Sequence, residues 1–117
     1  MTHEAAGAQH VAVRHVVSEP VLLILASLAR KPRHGYALIK DIEALSGGRV
    51  RIRTGTLYGA LRRLLEDRWI ERFDQADTSR EKQAYRLTPE GRRRLAGELA
   101  RMKQLTRAAA RLKPREI

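Results

Sequence analysis

Cysteine is absent from the 117 residues. That excludes a disulfide framework, a thiolate metal site and a cysteine nucleophile, and it fits a reducing compartment. Aromatic residues are scarce, with one Trp, three Tyr and one Phe, most of them at positions that read as core. Modules that read single-stranded RNA stack bases on exposed aromatics, so that class is disfavoured. Long hydrophobic runs are missing too. The longest largely apolar stretch, residues 21–28, covers eight positions, far short of a membrane span. Residues 1–7 lack a basic region leading into an apolar one, which argues against a secretory signal. The expectation is a soluble, cytoplasmic, nucleoid-associated protein with no membrane partner. Catalytic signatures are also lacking: there is no Gly-rich phosphate loop closing on Lys-Ser/Thr, no helical His pair with Glu and no nucleophile elbow. His3, His10 and His15 fit no metal spacing, and His34 beside Gly35 reads as a cap or turn residue. No catalytic residue, cofactor or metal ligand is assigned, and an enzyme is not expected.

Acidic residues are the other shortage. Lys and Arg number 24 against 13 Asp and Glu, a net charge of +11, the balance expected of a protein that neutralises phosphates. The excess is concentrated in two stretches. Residues 20–53 hold seven basic and two acidic groups and residues 88–117 nine and three, whereas residues 54–87 are nearly balanced at seven and six. The positive charge therefore belongs to structured segments and is not a basic tail. A chain this long buries one modest core.

Residues 1–18 are weakly patterned and read as a flexible strap or short helix. A first helix opens at Glu19-Pro20, an acid and a proline suited to a helix start. It continues through Val21, Leu22, Ile24, Leu25 and Leu28, apolar enough to require burial. Arg30-Lys31-Pro32 stops it, and a tight loop to Gly35 leads into a second helix over about 36–46. Its apolar residues Leu38, Ile39, Ile42 and Leu45 form one stripe, closed by Gly47-Gly48. Arg49-Val50-Arg51-Ile52-Arg53 alternates with period two, as a minimal strand would. A third helix follows over about 54–67, with Thr54 as expected N-cap and Leu57, Leu61, Leu64 and Leu65 as its buried face. Trp69–Phe73 and Gln83–Leu87 read as a hairpin with a charged tip carrying Arg80 and Lys82. Thr88-Pro89-Glu90 starts a final helix expected to reach about Leu112. Leu95, Met102 and Ala109 recur every seven residues there, Leu105 and Leu112 form a parallel row, and Leu99 lies on the same side. About 24 residues of helix span roughly 36 Å, more than so small a domain needs. The stripe is expected to pair with a second copy in a homodimer.

Helix, helix, turn, helix, hairpin, long helix is the plan of a winged helix-turn-helix: mainly α with a small β-hairpin, plus a long C-terminal dimerisation helix. The divisions are 1–18 for the strap, 19–88 for the DNA-binding domain, 89–112 for the dimerisation helix and 113–117 for the tail. The second helix of the helix-turn-helix unit enters the major groove. Here its free face carries Thr56, Gly59, Ala60, Arg62 and Arg63. Arg53, Thr54, Thr56, Tyr58, Arg62 and Arg63, with Arg80 and Lys82 from the wing, are the candidate DNA-binding residues. Each has a structural alternative: a cap for Thr54, a half-buried core edge for Tyr58, a solvated face for the arginines.

Three segments resemble the signature of PadR-like transcriptional regulators. They are His34-Gly35-Tyr36, Gly55-Thr56-Leu57-Tyr58 with Leu61 and Leu64, and Tyr85-Arg86-Leu87-Thr88 with Gly91. The resemblance covers roughly residues 20–112. It implies a winged helix with a C-terminal dimerisation helix, repression of transcription, loss of DNA affinity on binding a small-molecule effector, and an operator-facing Thr56 and Tyr58. Arg68 stands where the family commonly has Gly, and the C-terminal helix lacks the aromatics that line the drug site of some members. The expected function is a sequence-specific, double-stranded DNA-binding regulator, a repressor acting on a pseudo-palindromic operator as a homodimer. The competing readings are a winged-helix protein-interaction module and a basic DNA-binding protein without operator specificity.

Overall fold

The computed structural model describes residues 17–73 and 83–117. Helix α1, Glu19–Arg30, is capped by Ser18, whose hydroxyl accepts from the Val21 N–H, and carries its proline in the first turn. It buries Ile24, Leu25, Ser27 and Leu28. Helix α2, Gly35–Leu45, packs Leu38 and Ile42 against it. The end of α2 needs left-handed backbone, which glycine supplies without a Cβ clash. Gly47 (φ 65°) donates to the Ala44 carbonyl at 3.1 Å, and Gly48 donates to Glu43 at 2.7 Å.

Residues 49–53 alternate as expected, with Ile52 buried and the three arginines outside, but they form no strand. The period-two pattern reports which side is buried; a strand also requires a neighbour to bond with, and none lies alongside among the described residues. The segment is held by side chains: the Ser46 hydroxyl accepts from the Val50 N–H at 2.9 Å, Arg49 pairs with Glu19, and Arg51 lies 3.4 Å from Glu43. Helix α3, Thr54–Glu66, then buries Leu57, Leu61 and Leu64. Its N-cap position is occupied by Arg53 with no side-chain cap bond, and Thr54 is the first helical residue, so the expected Thr54 cap is corrected.

The sheet has three strands where two were expected. β2 (Ile70–Phe73) and β3 (Ala84–Leu87) make the hairpin, and β1 (Arg33–His34) joins the other edge of β3, in the order β1-β3-β2 with both pairings antiparallel. Helix α4, Pro89–Ala109, ends three residues before Leu112. The molecule is mainly α with a small antiparallel sheet, a winged helix-turn-helix followed by a long helix. Among the described residues no helix is long and apolar enough to cross a membrane.

One polar cluster lies inside the helical core. Ser27, fully buried, donates its hydroxyl to Asp41 at 2.5 Å. Arg33 lies 3.3 Å from the same carboxylate and donates to the Ser27 carbonyl at 3.2 Å. The cluster ties α1, β1 and α2 together and supplies the Arg33 charge with a counter-ion.

A second junction joins α3 to α4. Arg68 adopts the left-handed conformation (φ 63°) just past α3, donating to Leu65, and Trp69 donates to Leu64 at 3.0 Å. The Thr88 hydroxyl donates to the Arg68 carbonyl at 2.6 Å and accepts from the Gly91 N–H at 3.0 Å, while the Thr88 N–H donates to the Trp69 carbonyl at 3.1 Å. A Cβ on Gly91 would lie 2.9 Å from the Trp69 carbonyl carbon, so only glycine permits this approach.

Candidate nucleic-acid interface

Each residue of α3 advances about 100° around the axis. With Leu57, Leu61 and Leu64 turned inward, Gly55, Thr56, Gly59 and Arg63 turn outward and Arg62 turns toward the wing. Thr54, Gly55, Thr56, Arg62 and Arg63 are exposed, as is Arg53 before them. A Cβ on Gly55 or Gly59 would meet nothing within 4 Å. Packing among the described residues therefore does not require either glycine, although glycine inside a helix costs about 0.5–1 kcal/mol relative to alanine. What the pair creates is a strip of bare backbone, flanked by Thr56 and the two arginines, that a partner can approach closely.

The charges on this face are open. Among the described residues Arg53, Arg62 and Arg63 have no carboxylate partner, whereas Arg30, Arg33, Arg49, Arg51, Arg86, Arg93, Arg94 and Arg101 all do. A guanidinium with no internal counter-ion keeps its full field for an external anion.

Tyr58 is half-buried, and its ring end occupies the space a side chain at Gly35 would need; a Cβ there would lie 2.9 Å from the tyrosine Cζ. The His-Gly-Tyr and Gly-Thr-Leu-Tyr segments thus meet in space, Tyr58 setting the spacing of α2 and α3. It also borders a cleft between α3 and the sheet, together with Arg62, Arg72, Gln83 and Tyr85. Sequence reasoning did not single out Arg72, although its alternation with Ile70 was a usable signal. Arg80 and Lys82 lie outside the described residues, as do His3, His10, His15 and most of the strap. His34 stands at the N-cap position of α2 without a side-chain cap bond.

Helix α4 has two characters. Its first turns sit on the core through Gly91 and Leu95, with Arg94 stacked 5.1 Å over the Trp69 ring. Leu95 is only 7% exposed and lies in the core cluster of its own chain, so little of it is left for the dimer surface expected of it. Beyond it the apolar residues are open: Leu99 is 48% exposed, Met102 41%, Leu105 63% and Leu112 47%. Ala109 is the last helical residue and Leu112 follows the helix end. Glu90 accepts from Arg93 and Arg94, and these bonds hold its carboxyl below the usual glutamate range.

A helix-turn-helix with an arginine-flanked outer helix and an adjoining wing defines the winged helix-turn-helix class. Residues 24–97 match the family described as the transcriptional regulator PadR-like family, and the chain belongs to that family. Members of that family are transcriptional regulators. A 37.1 kDa protein in transposon TN4556 of Streptomyces fradiae is 38% identical over 85 residues, which is 73% of this chain; the chain spans 23% of that relative's length. Among solved structures, a PadR family regulator from Eggerthella lenta superposes with a TM-score of 0.64 at 26% identity, covering 94% of this chain and 95% of that one. A PadR family regulator from Clostridium difficile gives 0.66 at 22% identity, covering 80% and 96%.

Proposed function

We propose that this regulator is an operator-specific repressor that binds a pseudo-palindromic duplex site as a homodimer. The observation that carries the reading is the outward face of α3, where bare backbone at Gly55 and Gly59 lies between Thr56 and two arginines that have no carboxylate partner among the described residues. Backbone that can approach base edges, flanked by free cations, suits a helix seated in the major groove. Phosphate contacts from Arg53, Arg62 and Arg63 provide affinity, and Thr54 and Thr56 at the helix start face the bases. The exposed row Leu99, Met102 and Leu105 supports pairing through α4. Two copies then present their recognition helices about 34 Å apart, one turn of the duplex. Residues 19–88 act as the DNA-binding unit and 89–112 as the pairing helix, with 1–18 and 113–117 as strap and tail. A small-molecule effector that alters the angle between the two winged units would separate one helix from its groove.

The test is selection from a pool of random duplexes, with the DNA upstream of the gene included, at two salt concentrations. Enrichment of a two-fold-related site, with affinity falling steeply in salt, is the expected result. Weak binding indifferent to sequence would overturn operator recognition and leave a protein-interaction module as the better account.

A further inference from the structure

The cleft between α3 and the sheet has a volume of about 210 Å³ and is bordered by Tyr58, Arg62, Arg72, Gln83 and Tyr85. The pairing register shows what kind of place it is. Tyr85 stands opposite Arg33 on one side and Arg72 on the other, and directly opposed residues of an antiparallel sheet share a face. Ile70 and Leu87, both buried and two positions along, are opposed on that same face. The row Arg33–Tyr85–Arg72 therefore lies on the inner side of the sheet, the side toward the helices.

The two ends of the row are treated differently. Arg33 has Asp41 at 3.3 Å. Arg72 has no carboxylate partner among the described residues. The nearest comparison on the outer face is again neutralised: Arg86 donates to Glu71 at 2.8 Å and stacks 5.1 Å over Phe73. Arg62 reaches the same cleft from α3, one turn after Tyr58, and it too lacks a carboxylate. Arg62 and Arg72 thus border one small polar cleft that no carboxylate among the described residues lines. Like charges so placed repel, and an anion from outside relieves that repulsion.

Resting on the operator-binding reading above, we infer that Arg62 and Arg72 clamp one backbone phosphate of the duplex. The geometry of a winged helix supplies the ligand. With α3 in the major groove and the hairpin at the neighbouring minor groove, the sugar–phosphate strand dividing the two grooves runs between helix and wing. The cleft lies on that line, and the planar fork of arginine suits phosphate oxygens. Arg62 thus shares its phosphate with the wing, while Arg63, on the side of Thr56, meets the backbone separately.

The experiment measures Arg72→Ala against wild type on operator and random duplexes across a salt series, with thermal unfolding as a control on folding. Arg72 is exposed, so the melting temperature is expected to hold. Affinity should fall about tenfold on both duplexes alike, and the salt slope should drop by about 1. Arg62→Ala should behave the same way, and the double variant should lose less than the product of the single losses, because one phosphate is held by both. Unchanged affinity and slope in Arg72→Ala, while wild type still binds its operator, would overturn the clamp and leave the operator reading intact. A loss confined to the operator duplex would also overturn it. If wild type binds no duplex at any salt, both readings fall. Inorganic phosphate titrated into the protein alone separates the remaining source: saturation at micromolar phosphate, abolished in Arg72→Ala, would mean a site for the free anion and overturn the backbone assignment.

Discussion

Helices α3 and α4 are both rich in leucine and arginine, and they leave opposite needs unmet. In α3 the apolar side is satisfied, with Leu57, Leu61 and Leu64 in the core, while Arg62 and Arg63 stand without carboxylate partners among the described residues. In the first half of α4 most charges are paired: Glu90 accepts from Arg93 and Arg94, Glu98 accepts from Arg101 at 2.7 Å, and Arg92 donates to the Ala29 carbonyl. There it is the leucines that have nowhere to go once the core ends at Leu95. An element completed internally in one respect and left open in another indicates what it meets outside: an anion for α3, an apolar surface for α4. Net charge alone would have treated the arginines of both helices as one population.

The contrast is broken most severely by placing a charge where α4 needs an apolar partner. Leu99→Glu should yield monomers at micromolar concentration, since burying an unpaired carboxylate costs several kcal/mol; light scattering that still shows a dimer refutes the pairing surface. Next in size is removal of the open charges. Arg62→Ala with Arg63→Ala should weaken operator binding about 10–100-fold while changing the unfolding free energy by under about 0.5 kcal/mol. Undiminished affinity in a filter-binding or fluorescence titration would sink the assignment of that face. Smaller again is the joint between the helices: Arg68→Gly should stabilise the fold by about 1 kcal/mol in urea unfolding, because the left-handed backbone no longer strains against a Cβ. The smallest effect concerns the internal pairs of α4. The folded-state pKa of Glu90 is lowered from 4.5 by Arg93 and Arg94, so its contribution is present above pH 4.5 and lost as pH falls through the lowered value. Glu90→Gln should therefore unfold slightly more easily near neutrality and match wild type in acid; a difference that persists in acid would show that charge is not its origin.

Local chemistry made most of the fold legible in the sequence. Pro20, the leucine spacing of α3 and the Thr88-Pro89-Glu90 start each specify their element without help from the rest of the chain, and the helices stand where these signals put them. What escaped depends on neighbours distant in sequence. Arg33-His34 becomes a strand only because β3 passes beside it, and residues 49–53 have no such neighbour among the described residues. Leu95 and Leu99 occupy equivalent-looking rows, and only the size of the assembled core decides that the first is inside and the second outside. The candidate site was partly readable. The composition of α3 marked Thr56, Arg62 and Arg63, but the seating of Tyr58 on Gly35 and the approach of Arg72 to Arg62 arise from tertiary packing.

The junction at Arg68, Trp69, Thr88 and Gly91 has a mechanical consequence. It contains no slack: two hydrogen bonds from Thr88 and the close seat of Gly91 fix the root of α4 to the backbone leaving α3. Helix α4, with 21 residues, is about 32 Å long and behaves as a lever with a rigid fulcrum. Pushing its far end sideways by about 3 Å tilts it by roughly 5°, and at the root, where Thr88 is bonded to Arg68 and Trp69, that tilt bears on the backbone leaving α3. A displacement at Leu105, too small to disturb any core contact, is thereby geared down into a small, exact change of aim at the groove.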